Sequence, residues 1–236
     1  VSVPRRDFEP SALPFDDIYA LMGNVVIPRP IAWISTRSAD GVDNLAPHSY
    51  FTISAIRPAV VQFTSVGAKD TLRNVLETGE FVVALSPQPL AVEINRTATD
   101  FPPGISEFDA VGVEREASRL VAPPRVAGSP VNLECRLLDT KAFPGTTVVF
   151  GEVVWIAIDE AVLAADGLPR PELLAPVARL GRNDWMLLGD IVEQVRVPYE
   201  APAAAPAAAA APAPAAAPAA APAAAAAPAP AAPPGA

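Results

Sequence analysis

Two β-branched stretches, Val131–Phe143 and Thr146–Ile158, are separated only by Pro144-Gly145. A turn dipeptide between two long runs rich in Val, Ile and Thr predicts an antiparallel hairpin. More strand-forming segments precede it. Ile31–Thr36 reads as a strand that starts once Pro28 and Pro30 are passed, and the Asp40-Gly41 turn leads into a second, Asn44–Ile56. Arg57-Pro58 punctuates, Ala59–Ser65 reads as a buried strand, and Glu80–Ser86 is another. Short turns between successive strands suit a mainly β, antiparallel barrel better than alternating βαβ units.

A few helices interrupt this pattern. Asp16 or Asp17 is placed to cap a short helix through Leu21-Met22, closed by Gly23. Asp70–Thr78 reads as a helix with Asp70 at its N-cap and Gly79 at its end. Leu90–Thr97 looks helical, and Phe101-Pro102-Pro103-Gly104 is loop. Glu172–Leu180 is given one or two helical turns, and Trp185–Leu188 with Val192–Val197 closes the set of strands.

Composition divides the chain. From Ala201 to Ala236 every residue is Ala or Pro except Gly235. Such a stretch cannot bury enough apolar surface to offset its ordering entropy, so the expected organisation is a domain over 1–200 and a disordered Ala/Pro tail over 201–236. The charge of the chain, 17 basic against 26 acidic residues, gives a net of −9. That excess disfavours broad binding to a phosphate backbone, so no nucleic-acid partner is expected, though one local phosphate pocket is compatible with it. Cys135 is the single cysteine, which excludes an internal disulfide and favours a cytoplasmic location. No apolar run long enough for a signal peptide or a membrane span is read in the body.

His48 is the only histidine, and no Gly-x-Ser-x-Gly elbow accompanies it. It reads equally as a locally satisfied polar strand residue. The most informative stretch is Thr64-Ser65-Val66-Gly67-Ala68-Lys69-Asp70-Thr71, which passes from a buried strand through glycine into a helix N-terminus. Free backbone N–H groups and the positive end of the helix dipole suit a bound phosphate there. Ser65, Lys69 and Thr71 supply the donors such a pocket needs, and a charge-assisted contact of this kind is worth about 1.5–3 kcal/mol. The same segment also serves as an ordinary capped helix with Lys69 in water. In Asn44-Leu45-Ala46-Pro47-His48-Ser49, a proline inside a strand marks a bulge or an edge. Small neighbours would let a flat ring approach the backbone; a protected edge strand is the plainer account.

In order along the chain, Arg29-Pro30-Ile31-Ala32-Trp33-Ile34-Ser35-Thr36, Asn44–Phe51, Lys69-Asp70-Thr71 with Asn74, and Thr78-Gly79-Glu80-Phe81-Val82-Val83 resemble the flavin reductase-like, FMN-binding split-barrel family. Ser129–Cys135, Gly151-Glu152-Val153-Val154 and Arg179-Leu180-Gly181 extend the likeness over about residues 15–198. The resemblance implies a split β-barrel that binds FMN, works as a homodimer, and uses NADH or NADPH as co-substrate. It places Asn44, Ala46, Pro47, His48 and Ser49 along the ring and ribityl chain, Ser65, Lys69, Asp70 and Thr71 at the phosphate, and Arg29, Ser35 and Thr36 as further contacts. Thr146–Phe150 departs from relatives that carry a histidine before the Gly-Glu-Val strand. An NAD(P)H:FMN oxidoreductase passing reduced flavin or electrons to a partner protein is therefore one reading. An FMN-binding electron carrier without a nicotinamide site is the other, and a haem binder using His48 is a third.

Overall fold

The expected hairpin lies at the centre of the protein in the computed structural model, which describes residues 3–102 and 104–199. Helix α1 (Phe15–Val25) is followed by strands β1 (Arg29–Pro30), β2 (Ala32–Arg37), β3 (Asp43–His48), β4 (Phe51–Ile56) and β5 (Ala59–Val66). Helix α2 (Asp70–Thr78) leads into β6 (Glu80–Leu85); α3 (Ala91–Arg96) and α4 (Glu107–Val111) come next. A small ribbon, β7 (Arg115–Glu116) with β8 (Arg125–Val126), precedes the hairpin β9 (Val131–Phe143) and β10 (Thr146–Ile158). Helix α5 (Pro171–Leu174) and the short strands β11 (Ala178–Arg179) and β12 (Trp185–Met186) follow.

Seven strands form one sheet in the order β3-β2-β6-β9-β10-β5-β4. Every neighbouring pair is antiparallel. Irregular register in β10 at Phe150/Gly151 and at Val153/Trp155 lets the central hairpin bend. The β4–β5 pairing continues through Tyr50, whose C=O accepts from Thr64 N–H at 2.9 Å, and His48 at the end of β3 comes within 3.5 Å of Thr64 C=O on β5. The result is a split barrel.

Its interior is filled by Ala32, Ile34, Val61, Phe63, Phe81, Val83, Cys135 and Val149, with Leu72 and Val75 of α2 closing one end. Gly151 is needed there, because a Cβ at that position would fall on the Phe81 ring. The opposite face of β2 is buried as well. Trp33 packs with Leu45, Ile94, Phe108 and Val126, and its indole N–H donates to Thr97 Oγ1 at 2.8 Å. This second core fastens α3 and α4 beside β3, and those elements wall the site.

Several expectations are corrected. Asn44–Ile56 is two strands, broken at Ser49-Tyr50, because the chain there crosses from one edge of the sheet to the other. Helix α1 starts after Pro14 with no side-chain cap from Asp16 or Asp17 and continues through Gly23. Its end is held by Arg29, whose guanidinium donates to the carbonyls of Gly23 and Val26. Of the one or two helical turns expected within Glu172–Leu180, one forms, as Pro171–Leu174: Ala175 turns to φ 42° and Pro176 cannot continue the helix. Residues 192–197 carry no regular secondary structure. The expected tail, 201–236, lies outside the described residues. The described residues up to Asp190 make one compact unit. Among the described residues, no helix is long and apolar enough to cross a membrane.

Candidate functional site

Strand β3 pairs with β2 on one side only, so its other side is an open edge. Leu45 N–H points to that open side, where Glu107 Oε2 accepts it at 2.9 Å. By the two-residue period of a strand, Pro47 faces the same way, and a proline there removes a donor that would otherwise be unpaired. Protective proline and ligand-facing edge are therefore compatible descriptions of one strand. Asn44, Ala46, Pro47, His48 and Ser49 line a cleft of about 340 Å³ along this edge, a size in the range of small-molecule sites.

The far end of the cleft is the start of α2, where Lys69, Asp70 and Thr71 also line it. The N-cap residue is Lys69 and makes no side-chain cap; Asp70, expected at that position, is the first helical residue and pairs with Arg73 at 2.8 Å. A lysine has no acceptor with which to cap a helix, so the first-turn N–H groups and the ammonium are donors without an acceptor from the cap side chain. This donor set suits an anion. Thr71 is held from behind: its Oγ1 accepts from Asn44 Nδ2 at 3.0 Å, while Thr36 Oγ1 accepts from Asn44 Nδ2 at 3.2 Å and from Asn74 Nδ2 at 3.0 Å.

His48 sits at the seam of the barrel, only 8% exposed, with its ring centroid 4.9 Å from that of Phe63. Nδ1 lies 3.5 Å from Thr64 C=O, so it is the protonated nitrogen, and Nε2 is a buried acceptor without a partner among the described residues. Burial pushes its pKa down to about 4, against a smaller upward effect of the Thr64 carbonyl, with nearby Lys69 lowering it further. The imidazole is neutral at pH 7.

Four of the expected contact residues do not line this cleft. Ser65 is fully buried and its hydroxyl donates to Gly67 C=O at 3.1 Å; its neighbours Thr64 and Val66 face the cleft, as strand alternation requires. Ser35 and Thr36 are also fully buried, Thr36 behind Asn44 and Thr71, and Ser35 Oγ without a partner among the described residues. Arg29 binds the end of α1, and its Nη2 donates to Leu180 C=O at 2.8 Å.

The opposite wall was not read from the sequence. It consists of Thr97–Phe101 after α3, Glu107 of α4 and Tyr19 of α1. Lys69 Nζ lies 3.5 Å from Asp100 Oδ1 across the cleft. Burial raises the Glu107 pKa, opposed by the Leu45 N–H it accepts. None of these positions carries a local motif; Thr97–Phe101 and Glu107 meet the cleft because Trp33 and Phe108 anchor their elements beside β3, and Tyr19 because its ring packs against Tyr50.

Fold and site together define a split-barrel protein with an edge-strand cleft that ends on an anion-seeking helix start. A family model described as flavin reductase like domain matches residues 22–173. The chain belongs to this family of flavin-binding proteins. An uncharacterized protein of Deinococcus radiodurans is 38% identical over 204 residues, covering 81% of this chain and 90% of that one. The crystal structure of nitrilotriacetate monooxygenase component B from Bacillus cereus is similar with a TM-score of 0.77 and 30% identity, over 82% of this chain and all of that one. The Pseudomonas fluorescens 2-nitrobenzoate 2-nitroreductase NbaA is similar with the same TM-score and identity, over 85% of this chain and 100% of that one.

Proposed function

We propose that the protein is an FMN-binding oxidoreductase that reduces FMN with NADH or NADPH. The observation that carries the reading is the Lys69 N-cap: an uncapped helix start with an adjacent ammonium, at the end of a cleft whose long side is an open strand edge. Lys69, Thr71 and the first-turn N–H groups of α2 would hold the phosphate. The edge from Asn44 to Ser49 would lie along the ribityl chain and ring. Bound there, FMN supplies the hydride and electron chemistry, so no acid–base pair from the chain is required. The chain's own work is positional. Asn44 fixes Thr71, and Glu107 occupies the outward Leu45 N–H, so that with Pro47 lacking one, the carbonyls of this edge are the groups left for a ligand.

The reading extends to a homodimer. Its support is the exposed apolar surface of edge strand β4, where Ile53 is 66% and Ile56 76% exposed. Sedimentation analysis tests that part. The reaction is tested by the absorption spectrum of the FMN-loaded protein before and after NADH or NADPH, without oxygen. Bleaching of the flavin band by either nucleotide is expected. A loaded protein that ignores both, yet is reduced by dithionite, would leave the electron-carrier reading in its place.

A further inference from the structure

One cation, three carboxylates. Asp70, Asp100 and Glu107 all line the cleft whose anion end carries Lys69. They are not equivalent. Asp70 is neutralised by Arg73 at 2.8 Å. Glu107 accepts Leu45 N–H, and burial favours its protonated form. Asp100 has neither compensation: its side chain is 94% exposed, and its one ion-pair partner among the described residues is Lys69 at 3.5 Å. It therefore lies within ion-pair distance of the cation that the phosphate end depends on, and both line the same cleft.

We propose that Asp100 is a competing anion at the phosphate end, so that it lowers the affinity for FMN relative to riboflavin. This rests on the FMN reading above. A phosphate entering the cleft displaces a carboxylate from Lys69 and then remains close to that carboxylate. Both effects weaken binding of the phosphorylated flavin, and neither acts on a flavin without phosphate. Asp100 thus sets affinity and selectivity between FMN and riboflavin without touching the ring.

The test is Asp100→Asn in the full chain, an exposed substitution that preserves size. Dissociation constants for FMN and riboflavin are measured by flavin fluorescence quenching at low and high salt. For FMN, Asp100→Asn is expected to bind about two- to fivefold more tightly at low salt, the scale of an exposed ion pair. The gain should shrink as salt screens it. Riboflavin affinity should not change. An equal gain for both flavins would overturn the proposal by showing a steric lid, and no gain for FMN would overturn it as well. If the unsubstituted protein binds neither flavin, the FMN reading itself fails, and this inference with it.

Discussion

Replacing Lys69 by alanine removes the one cation of the cleft, and the structure sets the size of the effect. In a closed pocket a charge-assisted phosphate contact is worth about 1.5–3 kcal/mol. Here the Lys69 side chain is 55% exposed, so water screens the interaction. Two unit charges about 4 Å apart attract by ~1 kcal/mol in bulk water and ~4 kcal/mol at an effective dielectric near 20. A half-exposed ammonium belongs nearer the first figure. Losing its pair with Asp100 also offsets part of the loss, since the bound phosphate no longer competes for it. The expected cost is about 1–1.4 kcal/mol, a five- to tenfold weaker FMN Kd at low salt. Folding stability should hardly move, because Lys69 provides no cap and its one ion pair is exposed. The assay is calorimetric titration with FMN and riboflavin, alongside urea unfolding of both proteins. An FMN Kd within twofold of the unsubstituted protein, or an equal loss for riboflavin, would refute the phosphate assignment.

Other expected outcomes follow from buried groups. Glu134 is fully buried and accepts from Arg119 N–H at 2.8 Å, Leu120 N–H at 2.6 Å, and Arg125 Nε and Nη2 at 2.9 and 2.6 Å. Glu134→Ala removes the buried partner of Arg125 and leaves its guanidinium only the half-exposed Glu116, 2.8 Å from Nη1, and should lower the urea-unfolding free energy by about 3 kcal/mol, the low end for a broken buried pair; a loss below about 1 kcal/mol would contradict that account. His48 is held neutral with a pKa of about 4, below its ordinary 6.5. The unfolded chain binds the proton first, so stability present above about pH 6.5 declines as pH falls toward 4, by up to about 3 kcal/mol. His48→Phe removes the titration, and unfolding midpoints between pH 7.5 and 5 should flatten in that variant. Gly151→Ala drives a Cβ into the Phe81 ring and should cost about 1–3 kcal/mol with little change in FMN affinity; a neutral melting temperature would mean that Phe81 can repack freely.

What the sequence determined by itself is local. The hairpin 131–158 appears with its expected bounds, since two long β-branched runs and a Pro-Gly turn leave the backbone few alternatives. The strand expected as Ala59–Ser65, which runs to Val66, and helix Asp70–Thr78, ended by Gly79 at φ 72°, were legible from local signals as well. Of the two stretches expected at a site, Asn44–Ser49 and Ser65–Thr71, all residues but Leu45, Ser65 and Gly67 line one cleft, because an edge strand with a proline and a strand–glycine–helix start each have a short-range signature. Which face a strand residue shows was not legible: both faces of β2 are buried, and Ser65 turns inward while Thr64 turns to the cleft. Nor could spacing reveal that Thr97–Phe101 and Glu107 form the second wall. They are distant in sequence from β3 and are placed by burial of Trp33 and Phe108 in a shared core. Backbone preferences are written in neighbouring residues, whereas the opposite side of a cleft is decided by packing between segments, and only the tertiary structure carries that.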